Sequence, residues 1–203
     1  MAMEGIPMNM RENKGIILVG YVGLGGSLKI AKEKEEELGG YFSKHFMNQI
    51  KKCEKYLMSP PRTFKEESIA IGEGIFPMKR EALQKGGDEE SMVIPLGESC
   101  SCNSLWSALW NLCERWKVGV EVEFSCIPIR QETIEVCQYF DLNPYQLSSK
   151  GSYLMVTSQE GRVMEELERR GITAKKIGEI TEKKERIIKR GDYIRHLPRM
   201  KGI

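Results

Sequence analysis

The chain has 203 residues, 40% of them apolar and 30% charged, with 31 Lys and Arg against 29 Asp and Glu for a formal net charge of +2. That length supports one full α/β domain or two small ones, with a core large enough to need no disulfide or metal staple. So even a balance of charge gives no overall field to recruit nucleic acid or an anionic membrane, and neither is expected as a partner.

Residues 1–13 are Met-rich and polar without a period, which predicts a flexible N-terminal arm ahead of a single domain over 14–203. Gly15 to Val22 reads as a short buried strand ending in glycines. The turn Gly23-Leu24-Gly25-Gly26 follows, with Ser27 as the expected N-cap of a helix from Leu28 to Leu38 that Gly39-Gly40 would stop. Ser43 opens a second helix, with Phe46, Ile50, Cys53 and Leu57 at helical spacing. Residues 60–91 are the least decided stretch, expected to be an irregular insertion in which Ile69-Ala70-Ile71 reads as a strand or a turn of helix and Met78–Lys85 as a short helix.

Met92 to Leu96 reads as a strand, and Asn103 or Ser104 caps a helix to Trp116 with Leu105, Leu109, Leu112 and Trp116 on one face. Val118 to Phe124 alternates with period two, as a half-buried strand does. A helix over Gln131–Phe140 closes at Asn143-Pro144, and Tyr153–Thr157 is a buried strand. A helix over Arg162–Arg170 ends with Gly171 at C′; a strand over Ile172–Ile180 and a hairpin around Arg190-Gly191-Asp192 complete the chain. Strands alternating with helices predict an α/β fold in which helices layer a mixed sheet.

The candidates for chemistry are sparse. Of the 29 acids only Asp88, Asp141 and Asp192 are aspartates, and the histidines are His45 and His196 alone. A nucleotide-bound Mg²⁺ usually leans on one or two carboxylates, and zinc sites and hydrolytic triads lean on His, so no metal site is expected and no catalytic residue can be assigned. No run of apolar residues near the start approaches a bilayer span, and Met1 to Lys14 lacks the pattern of a secretory leader. A cytoplasmic protein with reduced cysteines is the expectation.

Gly20-Tyr21-Val22-Gly23-Leu24 resembles part of a dinucleotide-binding fingerprint, but the first glycine's place is taken by Leu18 and no acid follows a second strand. Two readings of the turn remain open: its N–H groups receive an anion at the helix start, or its glycines permit close strand-to-helix packing. Cys100-Ser101-Cys102, beside a helix start, admits a redox or metal-thiolate reading, although one intervening residue is fewer than such motifs favour. Cys126 and Cys137 read as core positions. Trp106, Trp110 and Trp116 read as core or interface, and Glu121 with Glu123 as solvated strand residues. The basic run Lys183–Lys201 reads as a solvated hairpin and tail.

A longer pattern is more specific. Ile127-Pro128-Ile129-Arg130-Gln131-Glu132-Thr133-Ile134-Glu135-Val136-Cys137, then Leu142-Asn143-Pro144-Tyr145 and Ser149-Lys150-Gly151-Ser152-Tyr153-Leu154, resembles the C-terminal domain of the aminoimidazole-ribonucleotide (AIR) synthase-related superfamily, and within it the hydrogenase maturation factors of the carbamoyl-dehydratase type. Ser104 to Trp110 and the Gly23–Ser27 turn with its helix extend the likeness to about residues 14–182. The resemblance implies a mixed sheet layered with helices, partly ferredoxin-like, and commonly a homodimer. It also implies ATP with Mg²⁺ held in a cleft against an N-terminal domain that carries most of the metal carboxylates. The resemblance begins near residue 14, so that domain is not expected within this sequence.

The relatives' Asp-x-Thr-x-Gly-Gly segment is matched by Ser99-Cys100-Ser101-Cys102-Asn103-Ser104, which loses the carboxylate and both glycines while keeping a hydroxyl at Ser101. The residues expected at a nucleotide or phosphate are therefore Gly23, Gly25, Gly26, Ser27, Ser101, Asn103 and Ser104. The expected function is a stand-alone domain for binding or assembly, with nucleotide or phosphate binding open to it; without the metal carboxylates the resemblance implies no catalysis by this chain alone. The alternative is an ATP-dependent enzyme completed by a separate N-terminal-type chain, and a cysteine redox or metal protein is the third reading.

Overall fold

The computed structural model describes residues 14–57, 92–97 and 103–199. The expected arm, the insertion at 60–91 and the Ser99–Cys102 segment lie outside these residues. Seven strands form one sheet in the order β2-β4-β1-β5-β3-β6-β7: β1 Gly15–Val19, β2 Met92–Pro95, β3 Gly119–Glu123, β4 Tyr153–Thr157, β5 Ala174–Thr181, β6 Arg186–Arg190 and β7 Tyr193–His196. Every pairing is antiparallel except β3 with β6, so the sheet is mixed as expected. The helices are α1 Leu24–Glu33, α2 Glu35–Tyr41, α3 Lys44–Lys52, α4 Leu105–Trp116, α5 Gln131–Tyr139 and α6 Glu160–Arg169.

β1 is buried along its whole length because both faces of the central sheet are covered. On one face Ile16 and Leu18 join Leu154, Val156, Val120, Val122 and Ile188 under Leu105, Leu109 and Leu112 of α4. On the other, Ile17 and Val19 meet Tyr153, Met155 and, from α6, Val163 and Leu167. A third core joins α1, α2, α3 and α5 through Ala31, Leu38, Met47, Ile50 and Val136. α4 opens with a capping box: the Ser107 N–H donates to Ser104 Oγ at 3.3 Å, and the Ser104 N–H to Ser107 Oγ at 3.0 Å. The structure thereby selects Ser104 over Asn103 as the cap.

Three local expectations are corrected, and one strand shows an irregularity. α1 begins at Leu24, with Gly23 as its N-cap at φ 68°, so Ser27 lies inside the first turns. A left-handed Gly23 lets the chain turn into helix earlier than a side-chain cap would. Gly39 and Gly40 do not stop a helix; the break falls at Lys34, and both glycines lie within α2, where buried Leu38 anchors the turn. β5 carries a bulge, its register to β1 jumping from Gly178 to Lys176, so that both Ile177 and Ile180 reach the core. Cys126 is exposed, because the period-two alternation of β3 gives way to a 3₁₀ turn over Phe124–Cys126.

Gly23→Ala would place a methyl group onto the Pro144 carbonyl oxygen and force a side chain to positive φ. Gly39→Ala, in a helix with nothing within 4 Å of its Cβ position, meets no obstacle. Chemical denaturation is expected to show Gly23→Ala losing roughly 2 kcal/mol or more and Gly39→Ala gaining about 0.5–1 kcal/mol.

Candidate functional site

The site follows from where β1 ends. Beyond Val19 the chain leaves the sheet, and each successive N–H needs a new acceptor. Gly20 donates to the Thr173 carbonyl at 2.8 Å and Val22 to the Pro128 carbonyl at 3.0 Å. Tyr21 donates to Ser152 Oγ at 3.0 Å, and that hydroxyl donates back to the Tyr21 carbonyl at 2.9 Å. Gly23 donates to Ser149 Oγ at 2.9 Å, and Gly26 to the Ser148 carbonyl at 2.7 Å. The Ser27 hydroxyl donates to the Leu24 carbonyl at 3.0 Å and lies 2.9 Å from Thr133 Oγ1 on α5.

These contacts press the turn onto the loop over residues 144–152. A Cβ at Gly25 would stand 2.8 Å from the Lys150 carbonyl oxygen, and one at Gly26 2.9 Å from the Ser148 nitrogen. The same loop ties to the start of α4, where the Ser149 N–H donates to the Asn103 carbonyl at 2.9 Å. Gly23, Gly25 and Gly26 thus lie against the 144–152 loop, with Ser27 beside them on Thr133, and the loop is tied in turn to Asn103 beside Ser104. Ser101 lies outside the described residues.

Against the turn sits a group that the sequence reading did not single out. Arg130 grips Glu132 with two hydrogen bonds, Nη2 to Oε1 at 2.9 Å and Nε to Oε2 at 3.1 Å. Its guanidinium lies over the Tyr56 ring at 4.7 Å and the Tyr21 ring at 5.6 Å. Burial pushes the Glu132 carboxyl up, but hydrogen bonds from Arg130 and the backbone override it, and the net shift is downward. The buried Cys53 thiol beside the pair is pushed up, first by burial and then by the Glu132 charge. An Arg two residues before a Glu at a helix start was the available signal; the rings and thiol arrive from distant segments.

Other candidates resolve into structure. Glu121 is ion-paired to Lys189 across β3 and β6, and Glu123 accepts from Ser125. Trp106 is fully buried, while Trp110 and Trp116 pack at the edge of the large core. Burial pushes the thiols of Cys113 and Cys137 up to about 11 each. Among the described residues no group of three His, Cys, Asp or Glu could hold a metal ion, and no helix is long and apolar enough to cross a membrane.

Residues 100–190 match the family described as AIR synthase related protein, C-terminal domain. Solved structures extend the likeness of fold beyond those residues. A HypE–HypF complex aligns with a TM-score of 0.60 at 14% identity, covering 95% of this chain and 55% of that one. HypE in complex with ATP gives 0.59 at 12%, covering 96% and 53%, and thiamine-monophosphate kinase from Stenotrophomonas maltophilia K279a gives 0.54 at 14%, covering 86% and 49%. The chain therefore spans about half the length of the structures it matches. No curated protein sequence matches it. The glycine turn lies outside the family match but inside the structural one.

A carboxyl whose folded pKa is depressed adds stability above its unfolded pKa, and that stability is lost as pH falls through the folded value. Glu132→Gln is therefore expected to cost roughly 1–3 kcal/mol at neutral pH and progressively less below the ordinary carboxylate range. Urea melts of both proteins across pH 2.5–7 would check this; a cost that does not shrink with acid would remove the assigned ion pair. In native alkylation mapped by mass spectrometry, Cys126 is expected to react ahead of Cys53, Cys113 and Cys137.

Proposed function

We propose that this chain is a binding or assembly module built on the AIR synthase-related C-terminal fold, without ATP-dependent catalysis of its own, acting in the cytosol as a homodimer or against a second chain. The observation that carries the reading is the hydrogen bonding of the glycine turn. The Gly23 and Gly26 N–H groups, which an anion at the helix start would need, are bonded to Ser149 and to the Ser148 carbonyl. A phosphate would have to displace buried internal acceptors to reach them, leaving those acceptors unpaired. The turn is better fitted to fastening β1 to the 144–152 loop than to holding a nucleotide.

The fit to Mg-ATP is correspondingly poor. The described residues offer no carboxylate cluster for the metal, and the Ser27 hydroxyl is engaged by Leu24 and Thr133. At the positions resembling the relatives' nucleotide segment, Ser99 replaces the carboxylate, and Asn103 and Ser104 replace glycines. No catalytic step is assigned to these residues.

A second reading has its own support. The matched structures are nearly twice as long as this chain, one being HypE with ATP and another HypE bound to HypF. Under that reading a separate N-terminal-type chain brings the Mg²⁺ carboxylates, and Gly23 to Ser27 with Ser101 contact the phosphates. Edge strand β7, with Tyr193 83% and Ile194 65% exposed, is the surface offered for pairing. A redox role stays a reading of Cys100 and Cys102; of the described thiols Cys53, Cys113 and Cys137 are buried and Cys126 is exposed.

The purified chain is expected to release no phosphate from Mg-ATP above the buffer rate, and added Mg²⁺ is expected to leave its melting temperature unchanged. Turnover by the chain alone would overturn the first reading; turnover only after addition of a second chain would establish the other. Sedimentation equilibrium tests self-association directly, a mass of two chains being the expected result.

A further inference from the structure

The hairpin β6–β7 carries a cluster that goes beyond the reading above. In its register Arg195 stands opposite Ile188, and Arg190 opposite Tyr193. Side chains two apart on a strand share a face, so Arg190 and Arg195 lie on the side where Ile188 is buried beneath α4. The two guanidinium groups converge on one ring, at 5.8 and 5.4 Å from the centre of Phe124. Phe124 packs on Tyr145 at 4.8 Å, and Tyr145 stacks on buried Trp106 at 5.4 Å. Both cations are close enough to Tyr145 to act on its phenol electrostatically, opposing the upward push of burial.

The hairpin's other cations are neutralised. Arg186 pairs with Glu114 at 2.7 Å, and Lys189, on the opposite face, pairs with Glu121. Among the described residues neither Arg190 nor Arg195 pairs with a carboxylate, Asp192 of the intervening turn included. Two positive charges held together without a counterion repel one another, and they persist at low cost only where water or an anionic ligand screens them. Stacking on an aromatic ring restricts a guanidinium while leaving its edge N–H groups free to make forked bonds. The phenol, fixed by the stack from Trp106 to Phe124, adds a neutral donor.

We propose that Arg190, Arg195 and Tyr145 form a binding site for the dianionic phosphate group of a small phosphate monoester. Two guanidinium forks match the double charge and several acceptor oxygens of such a group, whereas a single carboxylate would use only one. The ring faces of Phe124 and Tyr145 are occupied by the arginines and by Trp106, so the site recognises the phosphate and offers no platform for a nucleobase.

Equilibrium titration at low salt with inorganic phosphate, and in parallel with glycerol phosphate, tests this. Saturable binding of both is expected, weakening as salt rises. The double variant R190Q/R195Q is expected to lose affinity by about tenfold or more, and Y145F, which keeps the ring stack, by severalfold. R162Q removes the same charge from α6 on the opposite face of the sheet and is expected to bind as the wild type does. If the double variant does not fold, Y145F and R190K carry the test, since Lys keeps the charge but lacks the fork. Equal losses in R162Q and the double variant would overturn the proposal, as would no saturation below about 10 mM. Binding of a glutamate-rich peptide without saturable phosphate binding would likewise overturn it.

Discussion

The structure depends on how the backbone leaving β1 finds its hydrogen bonds. Five buried residues deliver the chain to the edge of the sheet, and the next N–H groups are satisfied by Thr173, Ser152, Pro128, Ser149 and Ser148. Those acceptors come from segments 106 or more residues away in sequence. The bonds hold the segments after β3, α5 and α6 against the start of α1, and so join the helical core to the two cores of the sheet. An unmet buried N–H costs on the order of 1–3 kcal/mol, so several lost together would dissolve the junction.

The same constraint decides what the glycine turn can do. Its close approach to residues 147–150 requires glycine at positions 25 and 26, and the Gly23 and Gly26 N–H groups are already bonded inward. A glycine turn between a strand and a helix is compatible with either phosphate binding or packing, and what separates the two is whether internal acceptors reach the N–H groups first. Here Ser148 and Ser149 do. The Arg130–Glu132 pair beside the turn braces the Tyr21 and Tyr56 rings.

Charge is distributed differently at the other end of the sheet. Where β3, β6 and β7 run past the helices, acids on β3 and α4 neutralise Lys189 and Arg186, leaving Arg190 and Arg195 together over Phe124. A chain close to electroneutral overall can therefore still concentrate positive charge locally, because pairing depends on which residues face one another and not on their totals.

The sequence by itself determined the elements whose causes are local. Uninterrupted burial marked β1 and β4, alternation marked β3, and Ser43, Ser104 and Gly171 marked helix ends, because periodicity and caps act within a few residues. The segment from Ile127 to Leu154 was also enough to indicate the family that residues 100–190 match. Only the tertiary structure decided where α1 begins, why Gly39 and Gly40 remain helical, how the bulge brings Ile177 and Ile180 inside together, and why Cys126 faces solvent. It alone paired Gly23 with Ser149 and set two arginines of a hairpin over Phe124. Such contacts join residues tens to more than a hundred positions apart, and they form only when the sheet brings distant strands into register, which no local pattern encodes.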